Sequence, residues 1–323
     1  MNKQSQQPKK SVNPVLQDQS FQEAFQPYTI QLVAPGSGTE PEKIEQLRTL
    51  TQLKINIPEN VMAESIIFHA NSDEERLKQL INALYDRSRS TLIWSLRGGY
   101  GSARLIQALS QLPKPKTEKV FIGFSDLTAL HLFLSQQWGW NTIHGSGLAG
   151  LLNPTQDPQN FQKIAQIVSK KESVLKLTPL TPLNAPAKNL KKISGRLTGG
   201  NLTMIQTSIG TLWQIETTGK ILFLEDTGSK GYQIDRTLHH LKQAGLLKHV
   251  RGIVFGDFSD SPDAAHVAVA LERFANETQI PIFKTDQFGH GKLNYPLIYN
   301  AKSEIVLNKN TQEFELRMLL SYN

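Results

Sequence analysis

One stretch, Lys119-Val120-Phe121-Ile122-Gly123-Phe124-Ser125-Asp126-Leu127-Thr128-Ala129-Leu130, limits what this chain can fold into more than any other. An apolar, β-branched run stops at glycine, a serine follows two positions later, and a helical pattern begins at once. The order predicts strand, sharp turn, helix. A serine at such a turn is lifted clear of the sheet edge, and the helix start behind it offers unpaired backbone N–H groups and positive dipole. Nucleophile elbows are built this way. Ordinary N-caps are too, with Ser or Asp accepting from the first-turn amides. The rest of the chain has to separate the two.

Strands and helices alternate on both sides of this stretch. Residues 28–34 read as a buried strand ended by Pro35-Gly36-Ser37-Gly38, with a helix over 40–53 and a short strand near 54–57. A helix opens at Asn71-Ser72-Asp73 and carries Leu77, Leu80, Ile81 and Leu84 on one face. Residues 91–96 form a strand that runs into Arg97-Gly98-Gly99-Tyr100-Gly101, followed by a helix to residue 112. Asn141 to Gly145 is one more strand end. The pattern predicts an α/β fold with a parallel sheet, whose ligand sites gather at the strand C-termini. The loop at residues 97–101 and Ser125 both lie on that edge.

The boundaries follow from changes in composition. Residues 1–25, rich in Gln, Ser, Lys and Pro, read as a poorly ordered tail, and residues 26–150 as an N-terminal α/β domain carrying the nucleophile. Residues 151–190, with five prolines and lysine clusters, read as a helix and an irregular crossover linker. Residues 191–323 read as a smaller α/β domain. In it, Ile221-Leu222-Phe223-Leu224 forms a buried strand ending in Glu225-Asp226, a helix spans about 233–244, and strands at 304–307 and 313–318 make a hairpin. Gly199-Gly200 marks a turn or a close backbone approach.

Composition excludes several classes. There is no cysteine among the 323 residues, so disulfides, Cys-ligated zinc and a thiol nucleophile are ruled out. The net charge of +7 is scattered in local clusters without interleaved aromatics, which is not a nucleic-acid stripe. No secretory signal and no bilayer-length apolar run is visible, so a soluble, cytoplasmic protein without membrane contact is expected. No HExxH or compact His/Asp cluster is present, and the Gly-rich loop is neither a Walker A sequence nor GxGxxG; neither a metal nor a cofactor is expected.

A serine needs a base, and the base needs an orienting acid. Of eight histidines, His290 stands out, set between Gly289 and Gly291 on a loop past a strand; His144 is second. The acid candidates are Glu225, Asp226, Asp257 and Asp286. Glu225 ends the most apolar strand of the second half, where it is either a cap or a site residue. An acyl-transfer site also needs N–H donors for the developing oxyanion, each worth about 3–4 kcal/mol. The amide of Asp126 and one from the Gly98-Gly99 turn are the natural pair, and Gly99 is the expected second donor.

Eight short motifs, taken together, resemble the LD-carboxypeptidases of the murein-recycling type and their microcin-immunity relatives, which are serine peptidases. In order they are Leu32-Val33-Ala34-Pro35, Arg97 to Gly101, Gly123 to Thr128, His144-Gly145, Thr198 to Leu202, Leu224 to Gly228, Tyr232 to Arg236, and Gly289-His290-Gly291. The resemblance implies a Ser125–His290–Glu225 triad and an N-terminal domain like class I glutamine amidotransferases. It also implies a site in the cleft between the two domains. The implied reaction removes the terminal D-alanine from murein tetrapeptide, at an L-to-D amide bond, in a cytoplasmic, metal-free homodimer. Arg97, Tyr100 and Arg236 are the substrate-binding candidates, an arginine being suited to a terminal carboxylate. Ser146 after His144-Gly145, and Ser229-Lys230 after Thr227-Gly228, depart from the family pattern and bear on the substrate. The competing reading is a microcin-immunity-type hydrolase of peptidyl or aminoacyl nucleotides, for which an aromatic placed to stack on a purine would speak. A non-catalytic ligand-binding module is the reading of another class.

Overall fold

The computed structural model describes residues 12–63, 68–258 and 260–320. The first half builds a sheet around the elbow. Strands β1 (Thr29–Val33), β2 (Ile55–Asn56), β3 (Thr91–Ser95), β4 (Val120–Gly123) and β5 (Ile143–His144) run parallel in the order β5-β4-β3-β1-β2. Every residue of β3 is buried, as expected of a central parallel strand covered on both faces. Three helices of this half matter here: α1 (Gln19–Phe25), α2 (Pro41–Arg48) and α3 (Asp73–Leu84). The chain from Ser102 forms only a short 3₁₀ turn and then α4 (Ile106–Leu109); α5 (Thr128–Gln137) follows the elbow.

The second half closes a seven-stranded barrel. It is made of β6 (Val174–Pro182), β7 (Lys192–Asn201), β8 (Lys220–Glu225), β9 (Gly252–Phe255), β10 (Ile282–Lys284) and a late hairpin. β7 through β10 are parallel neighbours. Between β10 and the hairpin, β11 (Leu297–Ile298) leaves the barrel and adds antiparallel to β5, so the first sheet has six strands. The hairpin, β12 (Lys302–Leu307) and β13 (Phe314–Leu319), is the one expected from the pattern. Among the described residues no helix is long and apolar enough to cross a membrane.

Two expectations are corrected. The first eleven residues of the expected tail lie outside the described residues, but the tail is ordered from residue 12. Asn13 donates to the carbonyls of Asn153 (3.0 Å) and Gln156 (2.8 Å). Asp18 caps α1 by accepting from the amides of Ser20 and Phe21. Phe21 and Phe25 are buried, and the Phe25 ring stacks on Trp94 at 5.3 Å. Glutamine-rich composition had hidden this apolar face. The stretch at 151–190 is more than a crossover. It contains α6 (Gln159–Val168), against which α1 packs, and β6, a barrel strand with Leu175, Leu177 and Leu180 turned inward. Pro179 argued against a strand because it cannot donate to a ladder. It sits where the register between β6 and β13 shifts, so that no ladder donor is required of it.

The two halves meet beside the elbow. Gly199 (φ +146°) and Gly200 (φ +118°) end β7, and a Cβ on Gly200 would lie 2.5–2.7 Å from Tyr299 Oη and the Thr128 side chain. The expected close approach is therefore real, and only glycine permits it. The Asn201 N–H donates to Thr128 Oγ1 at 3.0 Å, and Tyr299 Oη donates to the Gly199 carbonyl at 3.0 Å.

Because Phe25 belongs to the core, Phe25→Ala should cost about 3–5 kcal/mol, the usual range for deleting a buried aromatic. Urea unfolding read by circular dichroism checks this, and a loss below about 1 kcal/mol would return the segment to the status of a loose tail.

Candidate active site

β4 delivers the elbow. Phe124 is extended (φ −153°), and Ser125 then takes φ +64°, a left-handed conformation that a non-glycine residue adopts only at a cost of about 1–3 kcal/mol. The turn throws the side chain off the sheet edge and starts a 3₁₀ turn, Ser125–Leu127, that runs into α5. Gly98 makes room for it, because a Cβ there would stand 2.7 Å from Ser125 Cβ and 3.0 Å from its Oγ. Ser125 is thus enclosed by the loop at residues 97–101.

That loop is held from three directions. Ser37 donates its N–H to the Gly98 carbonyl (3.0 Å) and accepts from the Tyr100 N–H at its Oγ (3.1 Å). The buried Asp126 carboxylate accepts from the amides of Gly101 (3.3 Å) and Ser102 (2.8 Å). Burial pushes the Asp126 carboxyl above its ordinary value, against the opposing pull of those donors. Arg76, on α3 and almost fully buried, donates to the carbonyls of Pro35 and Gly101. The loop's carbonyls are thereby tied back. The amides of Gly99 and Asp126 donate to no acceptor found among the described residues; Asp126 occupies the first turn of a helix, where amides lack an internal partner.

Glu225 ends β8 with its side chain fully buried, and accepts from His290 Nδ1 at 2.6 Å. On the other side of the ring, His290 Nε2 lies 2.9 Å from Ser125 Oγ. A carboxylate only accepts, so Nδ1 carries the hydrogen and Nε2 is free to accept from the serine. Burial alone would lower the His290 pKa, but the charge of Glu225 and its hydrogen bond outweigh it, and the value is raised above 6.5. Glycines give the ring its place. Gly289 has φ +127°, and a Cβ on Gly291 would fall 2.1 Å from Asp257 Oδ2.

The other expected residues sort plainly. His144, the second candidate, makes no hydrogen bond to Ser125 among the described residues; it is buried on β5, bonded to Asn294 Oδ1 at 3.1 Å, and burial lowers its pKa to about 4. His131 is buried between Thr142 Oγ1 and the Gly123 carbonyl, with its pKa lowered to about 3 by the same cause. Asp226 accepts from Thr203 and Ser229. Asp257 backs the His290 loop, and Asp286 is exposed. Arg97 is exposed beside Gly98, with Nη1 3.4 Å from the Gly38 carbonyl. Tyr100 is 48% exposed and makes ring contacts with His69 and Phe68. Arg236 lies over the Tyr232 ring at 5.7 Å on the exposed face of the helix Gly231–Gln243; among the described residues no hydrogen bond or ion pair links it to Ser125, Glu225 or His290. Among the described residues no group of three or more His, Asp or Glu side chains is arranged to hold a metal ion.

Sequence reasoning missed Arg76 and Asn294. Arg76 had a signal: it stands four and eight residues before Leu80 and Leu84, on the apolar stripe of α3. Asn294 had none, because two of its partners, His144 and Asn160, are distant in the chain.

The chain resembles known proteins over most of its length. The model of the LD-carboxypeptidase N-terminal domain matches residues 30–145, and that of the LD-carboxypeptidase C-terminal domain matches residues 194–305. A Rickettsia conorii protein with a provisional carboxypeptidase name is 50% identical over 291 residues, 90% of each chain. The murein tetrapeptide carboxypeptidase of Pseudomonas aeruginosa is 30% identical over 295 residues, 87% of this chain and 94% of that one. The crystal structure of muramoyltetrapeptide carboxypeptidase from Oxalobacter formigenes superposes with TM-score 0.73 and 22% identity, covering 90% of this chain and 98% of that one. The microcin C7 self-immunity protein with aspartyl sulfamoyl adenosine shares the fold at TM-score 0.71, with 18% identity and coverage of 91% and 96%.

The electrostatics make a prediction that is independent of any substrate. In a histidine-ring NMR titration His290 should protonate above pH 6.5, while His131 and His144 stay neutral at pH 5. Glu225→Gln removes the charge that favours the imidazolium and should bring the His290 midpoint down. A wild-type midpoint below 6.5 would contradict the dyad.

Proposed function

The chain belongs to the LD-carboxypeptidase family, and from that premise we propose that it removes the terminal D-alanine from murein tetrapeptide by way of an acyl-enzyme on Ser125. The observation that carries the reading is the unbroken hydrogen-bonded line Glu225–His290–Ser125, with the serine from one half of the molecule and its two partners from the other.

The chemistry follows from that line. Ser125 Oγ attacks the carbonyl carbon of the L-to-D amide as its proton passes to His290 Nε2. The oxyanion is met by the amides of Asp126 and Gly99, held ready by the braces on residues 97–101. Collapse of the tetrahedral intermediate breaks the C–N bond, and the imidazolium returns its proton to the leaving amine, releasing D-alanine. Water, deprotonated by the same nitrogen, then attacks the ester; tripeptide leaves with a free carboxylate and Ser125 regains its proton. Glu225 holds the tautomer and stabilises the imidazolium. Arg97, exposed beside Gly98, is suited to the terminal carboxylate that an exopeptidase must recognise, with Tyr100 as its neighbour. Arg236 has no contact that supports this role. The reading is of a cytoplasmic homodimer acting on soluble muropeptides. Tryptophan stacking on a nucleotide base, which would favour the microcin-immunity chemistry, gains no support: Trp94, Trp138, Trp140 and Trp213 are all buried.

The test is D-alanine release from L-Ala–D-Glu–meso-diaminopimelate–D-Ala. Wild type should release it, Ser125→Ala should not, and Gly98→Ala, whose new methyl displaces the serine, should lose on the order of 100-fold in kcat with the fold intact. A folded wild type that releases nothing discards the murein reading and directs the test to aminoacyl nucleotides; release that survives Ser125→Ala discards the nucleophile.

The pH profile carries a sign. The base works neutral, so kcat/KM should fall as pH drops through the raised His290 value, with an acid limb above 6.5. Stability runs the other way. A raised folded pKa makes the pair's contribution full below the unfolded value and lost as pH rises through the folded one. An acid limb below 6.5 would contradict the assignment of His290 as base.

A further inference from the structure

We infer that Asn294 and His144 are positioning residues for His290: the Asn294 carboxamide oxygen, accepting at once from the Gly289 N–H and the His144 ring, ties the loop of the base to the strand beside the nucleophile's. The inference rests on the reading of His290 as the general base.

The loop spans residues 287–295. Its neck is closed by the Tyr295 N–H donating to the Gln287 carbonyl at 2.7 Å, and its flank by the Asp257 N–H donating to the Phe288 carbonyl at 2.7 Å. Glycines on both sides of His290 leave its backbone free to move unless something outside the pair holds it. Asn294 does so across the loop: its Oδ1 lies 3.2 Å from the Gly289 N–H and 3.1 Å from His144 Nε2. Asn294 is itself fixed, its N–H donating to Asn160 Oδ1 at 2.7 Å while Asn160 Nδ2 donates to the Lys292 carbonyl at 3.1 Å.

The hydrogen-bond logic leaves one arrangement. A backbone N–H can only donate, so the atom facing Gly289 must be the carboxamide oxygen, which fixes the amide orientation. That oxygen also faces His144, so His144 Nε2 must carry the hydrogen and Nδ1 must be bare. His144 pairs in register with Gly123, two residues before Ser125. The Phe124 ring, between that glycine and the serine, lies 6.1 Å from the His144 ring and 5.0 Å from the His290 ring. Strand β5, the elbow and the base are thereby in one contact chain.

Stability is a poor explanation for the pair. Asn294 is 2% exposed and His144 not at all, and among the described residues His144 Nδ1 and Asn294 Nδ2 have no hydrogen-bond partner. Two buried polar atoms left unpaired cost stability that an apolar pair of similar shape would not. Their presence here is accounted for by where the shared oxygen puts Gly289 and, next to it, His290.

The test has one arm on the wild type and one on variants. In the wild type, ring-nitrogen NMR should find His144 neutral at pH 7 with the hydrogen on Nε2; a hydrogen on Nδ1 overturns the inference whether or not any substrate is turned over. In the tetrapeptide assay Asn294→Ala should lower kcat about 10- to 100-fold and leave KM within about twofold. His144→Leu should match it. His144→Gln, whose amide can donate to the same oxygen, should keep kcat within about threefold of wild type, and His144→Leu/Asn294→Ala should be no worse than either single variant. A folded Asn294→Ala with wild-type kcat, or a His144→Gln as impaired as His144→Leu, would overturn it. Should Asn294→Ala not fold, the two His144 variants make the same comparison. A wild type inert toward the tetrapeptide would be a failure of the functional reading, and the NMR arm would still decide the clamp.

Discussion

The structure depends on one short hydrogen bond, His290 Nδ1 to Glu225 Oε2 at 2.6 Å. A fully buried carboxylate is costly unless it is paired, and here the imidazole is its one hydrogen-bonded partner, since Glu225 Oε1 has none among the described residues. The cost is what makes the arrangement useful. Protonating His290 supplies the buried charge with its counter-ion, which in the proposed mechanism favours proton transfer from Ser125 in the transition state. The same balance raises the His290 pKa despite burial.

The dyad meets a serine delivered by a different sheet, so in the proposed reaction the two halves of the chain must be in fixed register. Their junction is built without slack. Gly199 and Gly200 allow the end of β7 to close on α5, and the Thr128 hydroxyl receives the Asn201 amide three residues after the nucleophile. β11 then returns from the second half to pair with β5, next to β4. The strained Ser125 backbone is sustained by this confinement together with Gly98, whose missing side chain is the space the serine occupies. Around it, Ser37, Arg76 and Asp126 engage the Gly98 and Gly101 carbonyls and the Tyr100 and Gly101 amides, and the Gly99 amide is left without an acceptor among the described residues.

Much of this was legible in the sequence where the signal was local. The strand-turn-helix at residues 119–130, the glycine pair at 199–200, the acid ending β8 and the glycine-flanked histidine each carry their meaning within a few residues. Eight such motifs in order were enough to give the family. What escaped depended on partners far along the chain. The N-terminal helix was hidden by glutamines, although Phe21 and Phe25 complete the core beside Trp94. β6 was hidden by Pro179, whose place at a register shift only the hairpin partner reveals. Closure into a barrel could not be read from strands that individually look parallel or antiparallel. Arg236 belonged to a recognisable motif yet packs on Tyr232, whereas Arg76 and Asn294, in no motif, hold the two loops that flank Ser125.

The most direct measurement of the central claim is phosphonylation by a fluorophosphonate, in which the serine oxygen displaces fluoride, followed by peptide mass mapping and a rate. The account requires a single adduct on Ser125, with the rate falling by at least about 100-fold in His290→Ala, in line with the usual contribution of a general base. An adduct on another residue, or a His290→Ala variant that reacts at the wild-type rate, would show that the line from Glu225 through His290 does not activate this serine.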